Sequence, residues 1–95
     1  MKNPVIYMMT NQRNGVIYIG VTSNLQRRVY EHKHGLLGGF TRKYKCKLLV
    51  YYEVHETMES AIVREKQLKA GPRKKKLQVL VGLNPDWVDL YDSLF

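Results

Sequence analysis

The stretch Val5-Ile6-Tyr7-Met8-Met9-Thr10-Asn11-Gln12-Arg13-Asn14-Gly15-Val16-Ile17-Tyr18-Ile19-Gly20 decides the fold. Pro4 to Met9 is a short apolar run with β-branched and aromatic residues. Thr10 to Gly15 is polar and ends in Asn-Gly, whose two residues tolerate the positive φ of tight hairpin turns. Val16 to Gly20 is a second β-rich run, so the stretch predicts a β-hairpin.

The chain beyond it divides at its capping and breaking residues. Ser23 or Asn24 caps a helix through about His34, which Gly35 can end. Leu36 to Lys47 contains Gly38-Gly39 and four cations and reads as a loop. Leu48 to Val54 is a third strand. Thr57 starts a helix through Lys69, and Ala70-Gly71-Pro72 breaks it. Arg73 to Val81 reads as a further helix, and Asn84-Pro85-Asp86-Trp87 as the start of a short helical segment. The order β-β-α-β-α-α predicts an α/β (α+β) fold, with a small three-stranded sheet flanked by helices in one domain over residues 1–95.

Composition narrows the class. The hydrophobic fraction of 44% argues against disorder. Cys46 is the only cysteine, which excludes a disulfide scaffold; a lone thiol usually packs as a small hydrophobe. No apolar run is long enough to span a bilayer. The N-terminal stretch has neither a signal-peptide apolar region nor a small-residue cleavage site, so the expected compartment is the cytoplasm.

Charge points to a partner. Sixteen Lys and Arg face eight Asp and Glu. Residues 1–76 hold every basic residue and five acids, whereas residues 77–95 hold three Asp and no cation. A basic body of this kind favours a polyanion, nucleic acid above all.

Several residues break local rules. Met58, Ala61, Ile62 and Leu68 recur at helical spacing and mark a core stripe, and Glu65 falls on it. A carboxylate there needs a cation or donor beside it. It is either half of a structural ion pair or a ligand for a hard cation such as Mg²⁺. In the first helix, Leu25 and Val29 face the core, with Arg28 and His32 one turn apart beside them. Arg28 could clamp a phosphate and His32 could take a proton near neutrality; alternatively, both belong to a solvated basic face. Arg42, Lys43, Lys45 and Lys47 form one basic cluster, and Arg73, Lys74, Lys75 and Lys76 another. The second opposes its own helix dipole, which phosphate contact would explain; a solvated charge run explains it equally. Tyr44 could stack on a base or anchor its loop. Without clustered Cys or His, a zinc site is not expected.

Val5-Ile6-Tyr7, ten intervening residues and Tyr18-Ile19-Gly20 resemble the paired motif of the GIY-YIG endonuclease superfamily. The segments Gly20 to His32, Ala61 to Lys69 and Asn84 to Trp87 also fit, in order and with compatible spacing. The chain is similar to small stand-alone bacterial members related to the N-terminal nuclease domain of the repair excinuclease. The resemblance implies cleavage of DNA phosphodiesters with a divalent metal, Mg²⁺ or Mn²⁺, and a setting in DNA repair or recombination. By position it makes Tyr7, Tyr18, Arg28, His32 and Asn84 catalytic and Glu65 the metal ligand. Tyr18 would orient or deprotonate the attacking water, helped by Tyr7, His32 or a metal-bound water, while Asn84 would position the phosphate or a tyrosine. Two departures stand out: Val5 replaces the motif Gly, and Val21 stands where some relatives carry a Lys that could lower the tyrosine pKa.

Branched, single-stranded and damaged DNA all satisfy this reading, as does RNA, because backbone contacts carry no sequence information. The competing reading is a non-catalytic nucleic-acid-binding module on the same fold. A third, a protein-docking C-terminus built on Trp87, Tyr91 and Phe95, competes with the expectation that these aromatics close the core.

Overall fold

Strand β1 (Val5–Thr10) lies between β2 (Ile17–Thr22) and β3 (Leu48–Val54) and is antiparallel to both. The structure, a computed structural model, describes residues 3–95. All six β1 residues are buried, because alternate side chains enter two cores on opposite faces of the sheet. Ile6 and Met8 enter one core with Ile19, Val50 and Tyr51. It is closed by Ala61 and Leu68 of α3 (Met58–Ala70), Leu80 of α4 (Arg73–Leu83) and Trp87. Val5, Tyr7 and Met9 enter the other with Cys46, Leu49, and Leu25 and Val29 of α1 (Leu25–Lys33). The predicted three-stranded sheet with flanking helices is therefore the observed architecture. No helix among the described residues is long and apolar enough to cross a membrane.

The predicted caps form. Asn24 Oδ1 accepts from the Arg27 amide at 3.2 Å, and the Thr57 hydroxyl accepts from the Ser60 amide at 3.1 Å. Gly35 ends α1 with φ 65°. Cys46 is fully buried, and burial pushes its thiol up, as suits a packing residue.

Two segments differ from expectation. The predicted loop contains a one-turn helix, α2 (Phe40–Lys43), entered through Gly39 at φ 79°. It is too short to show periodicity; buried Thr41 and Cys46 hold it, with the Cys46 amide on the Thr41 carbonyl at 2.9 Å. The expected helix at Asn84 is instead a turn, in which Trp87 has φ 56°. Asn84 dictates this. Its Nδ2 donates to the Val50 and Val88 carbonyls at 3.0 and 2.8 Å, and its Oδ1 accepts from the Val88 amide at 3.0 Å. Helical geometry returns only at Tyr91–Leu94, a 3-10 turn.

The acidic C-terminal stretch is tied back to the basic body. Asp89 pairs with Lys33 and accepts from the Leu49 and Tyr91 amides, both at 3.1 Å. Of its aromatics only Trp87 is buried; Phe95 is 77% exposed and closes nothing.

Replacing Asn84 with Ala would leave the buried Val50 carbonyl and the Val88 amide unpaired. Asn84→Ala is expected to lower unfolding free energy by about 1–3 kcal/mol in urea denaturation, with the fold retained.

Candidate active site at the free edge of β2

β2 is an edge strand, and side chains from both layers of helix meet around it. The centre is Tyr7. It pairs across the sheet with Gly20, and a Cβ on that glycine would lie 2.5 Å from both the Tyr7 Cζ and its oxygen. The missing side chain is what lets the Tyr7 ring cross toward the β2 edge.

There the Tyr7 hydroxyl meets His32 Nε2 at 2.9 Å, and His32 Nδ1 meets the Thr41 hydroxyl at 3.1 Å. All three side chains are buried. Burial pushes the Tyr7 phenol well above its ordinary 10.0, and Tyr18 adds to the rise; the Arg28 guanidinium opposes it, and Glu65 adds a smaller upward push. Burial likewise lowers the His32 imidazole below its ordinary 6.5, and Arg28 lowers it further. Near neutral pH Tyr7 is therefore protonated and His32 neutral. A neutral imidazole carries one N–H, so His32 donates in one of these two contacts and accepts in the other.

Tyr18 occupies a different environment. It is half-buried, its ring lies 6.2 Å from Tyr7 and 5.6 Å from His32, and it borders an open groove. Of the two motif tyrosines it is the one a solute can reach. Arg28 keeps 38% of its side chain exposed at the rim, where it pairs with Glu31 at 3.5 Å.

Glu65 comes in from α3. Met58 is exposed and Ile62 only half-buried, so the core stripe reduces to Ala61 and Leu68, and Glu65 sits at its edge. Its side chain is 15% exposed, and the carboxylate pairs with Lys69 at 3.3 Å. Lys69 in turn lies 5.9 Å from the Tyr18 ring centroid. Among the described residues no three His, Cys, Asp or Glu side chains converge. A single carboxylate suits a hard, water-retaining cation such as Mg²⁺, which takes few protein ligands, and does not suit zinc.

The structure thus brings together Tyr7, Tyr18, Arg28, His32 and Glu65. It assigns Asn84, expected beside the phosphate, to the scaffold, where its amide is used on main chain of β3 and the following turn. The basic clusters divide too. Arg73 donates to the Asn14 and Gly15 carbonyls at 3.2 and 2.7 Å, fastening α4 to the hairpin turn. Arg42, Lys43, Lys45, Lys47, Lys74 and Lys75 are exposed, whereas Lys76 lines the groove with Lys69. Sequence reasoning missed Thr41, Phe40 and Lys69. Only Lys69 left a signal, its position one turn after Glu65.

Known proteins resemble this chain in sequence and fold. A family model described as the GIY-YIG catalytic domain matches residues 3–78. The chain is 36% identical over 63 residues to the UPF0213 protein of Haloquadratum walsbyi, covering 66% of this chain and 71% of that one. It is 29% identical over 68 residues to its counterpart in Staphylococcus saprophyticus, covering 72% and 83%. The solution NMR structure of a UPF0213 protein from Bacillus halodurans superposes with a TM-score of 0.51 at 30% identity, over 87% of this chain and 85% of that one. With its motif pair as Val5-Ile6-Tyr7 and Tyr18-Ile19-Gly20, and its motif glycine under the Tyr7 ring, the chain belongs to the GIY-YIG nuclease family.

Proposed function

We propose that the protein is a divalent-metal-dependent endonuclease that hydrolyses DNA phosphodiesters, in DNA repair or recombination. The observation that carries this reading is the meeting of Glu65, Arg28 and the Tyr7–His32 pair around an accessible Tyr18. Glu65 already forms the ion pair with Lys69 that the sequence left open, so the carboxylate alone does not demand a metal; its place beside Tyr7, Tyr18 and Arg28 in a GIY-YIG chain is what supports one. Glu65 is the residue that would hold Mg²⁺ or Mn²⁺, and the bound ion would supply Lewis-acid stabilisation of the leaving oxygen. Arg28 presents its guanidinium to the negative charge that develops on the phosphate. Tyr18 orients the attacking water from the groove side. Tyr7, kept protonated by burial, donates to His32 and holds the imidazole in one tautomer. Lys69 keeps Glu65 compensated, and the exposed cations of α2 and α4 hold the nucleic-acid backbone without reading sequence.

Glu65→Gln and Arg28→Ala are each expected to cut cleavage of labelled DNA at least about a hundred-fold in Mg²⁺ or Mn²⁺, while circular dichroism and salt-dependent binding stay near wild type. EDTA should abolish wild-type cutting. Unfolding of both variants would make the two residues structural and defeat the assignment.

The His32 imidazole also makes a pH prediction. Its folded pKa lies below its unfolded value, so the unfolded chain takes up the proton first as pH falls. Stability should be constant above about pH 6.5 and decline below it. Cleavage should hold through the start of this decline and fall only at lower pH, where the folded-state imidazole takes up its proton and Nε2 ceases to accept from Tyr7. His32→Gln is expected to flatten the stability decline in urea melts; an unchanged decline would show that other groups cause it.

A further inference from the structure

Phe40 and Tyr44, one turn apart at α2, project an aromatic surface from the rim of the site. Their ring centroids are 4.7 Å apart, yet the residues are 41% and 40% exposed. The sheet core does not need them, because Thr41 and Cys46 already anchor the segment. Phe40 also lies nearly parallel to Tyr18, with 6.2 Å between centroids and 27° between planes. Tyr18, Phe40 and Tyr44 therefore form a continuous aromatic run from the reaction centre outward.

Cations border this run. Lys43 lies 5.4 Å from the Tyr44 ring centroid and Lys69 5.9 Å from that of Tyr18. The groove beneath Phe40 is lined by Ile17, Tyr18, Ile19, Lys69 and Lys76, with no carboxylate among the described residues. Flat apolar faces with cations at their margin match a nucleotide, whose base offers a π-face and whose backbone offers anions. In a closed duplex those faces are covered by neighbouring base pairs. An unpaired base exposes them.

We propose that Phe40 and Tyr44 form a nucleobase-stacking subsite, filled by an unpaired base of the strand whose phosphate lies at Tyr18 and Arg28. The inference rests on the nucleic-acid reading of this site and narrows its ligand to a strand with at least one unpaired nucleotide. Contact through the π-face selects unpaired structure without selecting sequence.

The test is made in EDTA, so that binding is read without cutting. A single-stranded oligonucleotide carrying 2-aminopurine and its blunt duplex are titrated with the protein at one fixed salt concentration. The single strand should bind about ten-fold more tightly than the duplex, with quenched 2-aminopurine fluorescence. Phe40→Leu and Tyr44→Leu, which keep apolar volume but remove a π-face, should each weaken single-strand binding about five-fold or more and leave duplex binding unchanged. Phe40→Trp should retain the quenching. Equal affinity for the two forms, wild-type single-strand binding by both leucine variants, or a parallel loss on both forms would overturn the proposal. Intact stacking with no cleavage after Mg²⁺ is restored would instead sink the nuclease reading alone.

Discussion

Tyr7 lies across Gly20, and the closeness of that contact, 2.5 Å from a hypothetical Cβ to the phenol oxygen, governs the whole site. Any side chain at position 20 would push the ring off its path and separate the hydroxyl from His32. The contact is strict because both residues sit on paired strands whose register is held by six cross-strand partners. Neither ring nor backbone can yield without shifting β1, and β1 is packed on both faces. The spacing of the two motifs thus follows from strand pairing: the hairpin turn must be of a length that sets Tyr7 opposite Gly20.

Chemically identical residues acquire different capacities here. Tyr7 is fully buried, held protonated and hydrogen-bonded to His32, so its ring and hydroxyl are fixed in place. Tyr18, next to it on the edge strand, faces an open groove and can meet a solute. The difference comes from strand order. A central strand is covered on both sides, while an edge strand exposes one flank, so one tyrosine of the pair becomes framework and the other becomes surface. His32 meets Tyr7 through Nε2 and Thr41 of α2 through Nδ1, and its ring lies edge-on to Tyr18 with 5.6 Å between centroids.

What is legible in the sequence follows the range of each interaction. The hairpin, the caps at Asn24 and Thr57 and the third strand rest on neighbours within a few residues, and local patterns announce them. Arg28 and His32 share a helix face, which spacing alone reveals. Thr41 and Phe40 join the site through contacts that cross the sheet's edge, and nothing local marks a four-residue helix after a glycine pair. Asn84 is illegible for a related reason. A polar residue near the end of a helix can equally cap main chain or face a ligand, and its choice depends on Val50, thirty-four residues away in sequence.

Lys69 shows how the chain meets an electrostatic requirement by another route. Val21 denies Tyr18 a cation from its own strand, and Glu65 is a carboxylate at the edge of an apolar stripe. One ammonium addresses both, 3.3 Å from Glu65 and 5.9 Å from the centroid of the Tyr18 ring. It sits one turn beyond Glu65 on the same helix, which places both partners within its reach. A divalent ion held at Glu65 would repel that ammonium toward Tyr18 and the groove, where Lys76 already adds positive charge. Asp89, by contrast, pairs with Lys33 and accepts from the Leu49 and Tyr91 amides, so it adds no carboxylate to the Tyr18 groove, whose cations are Lys69 and Lys76.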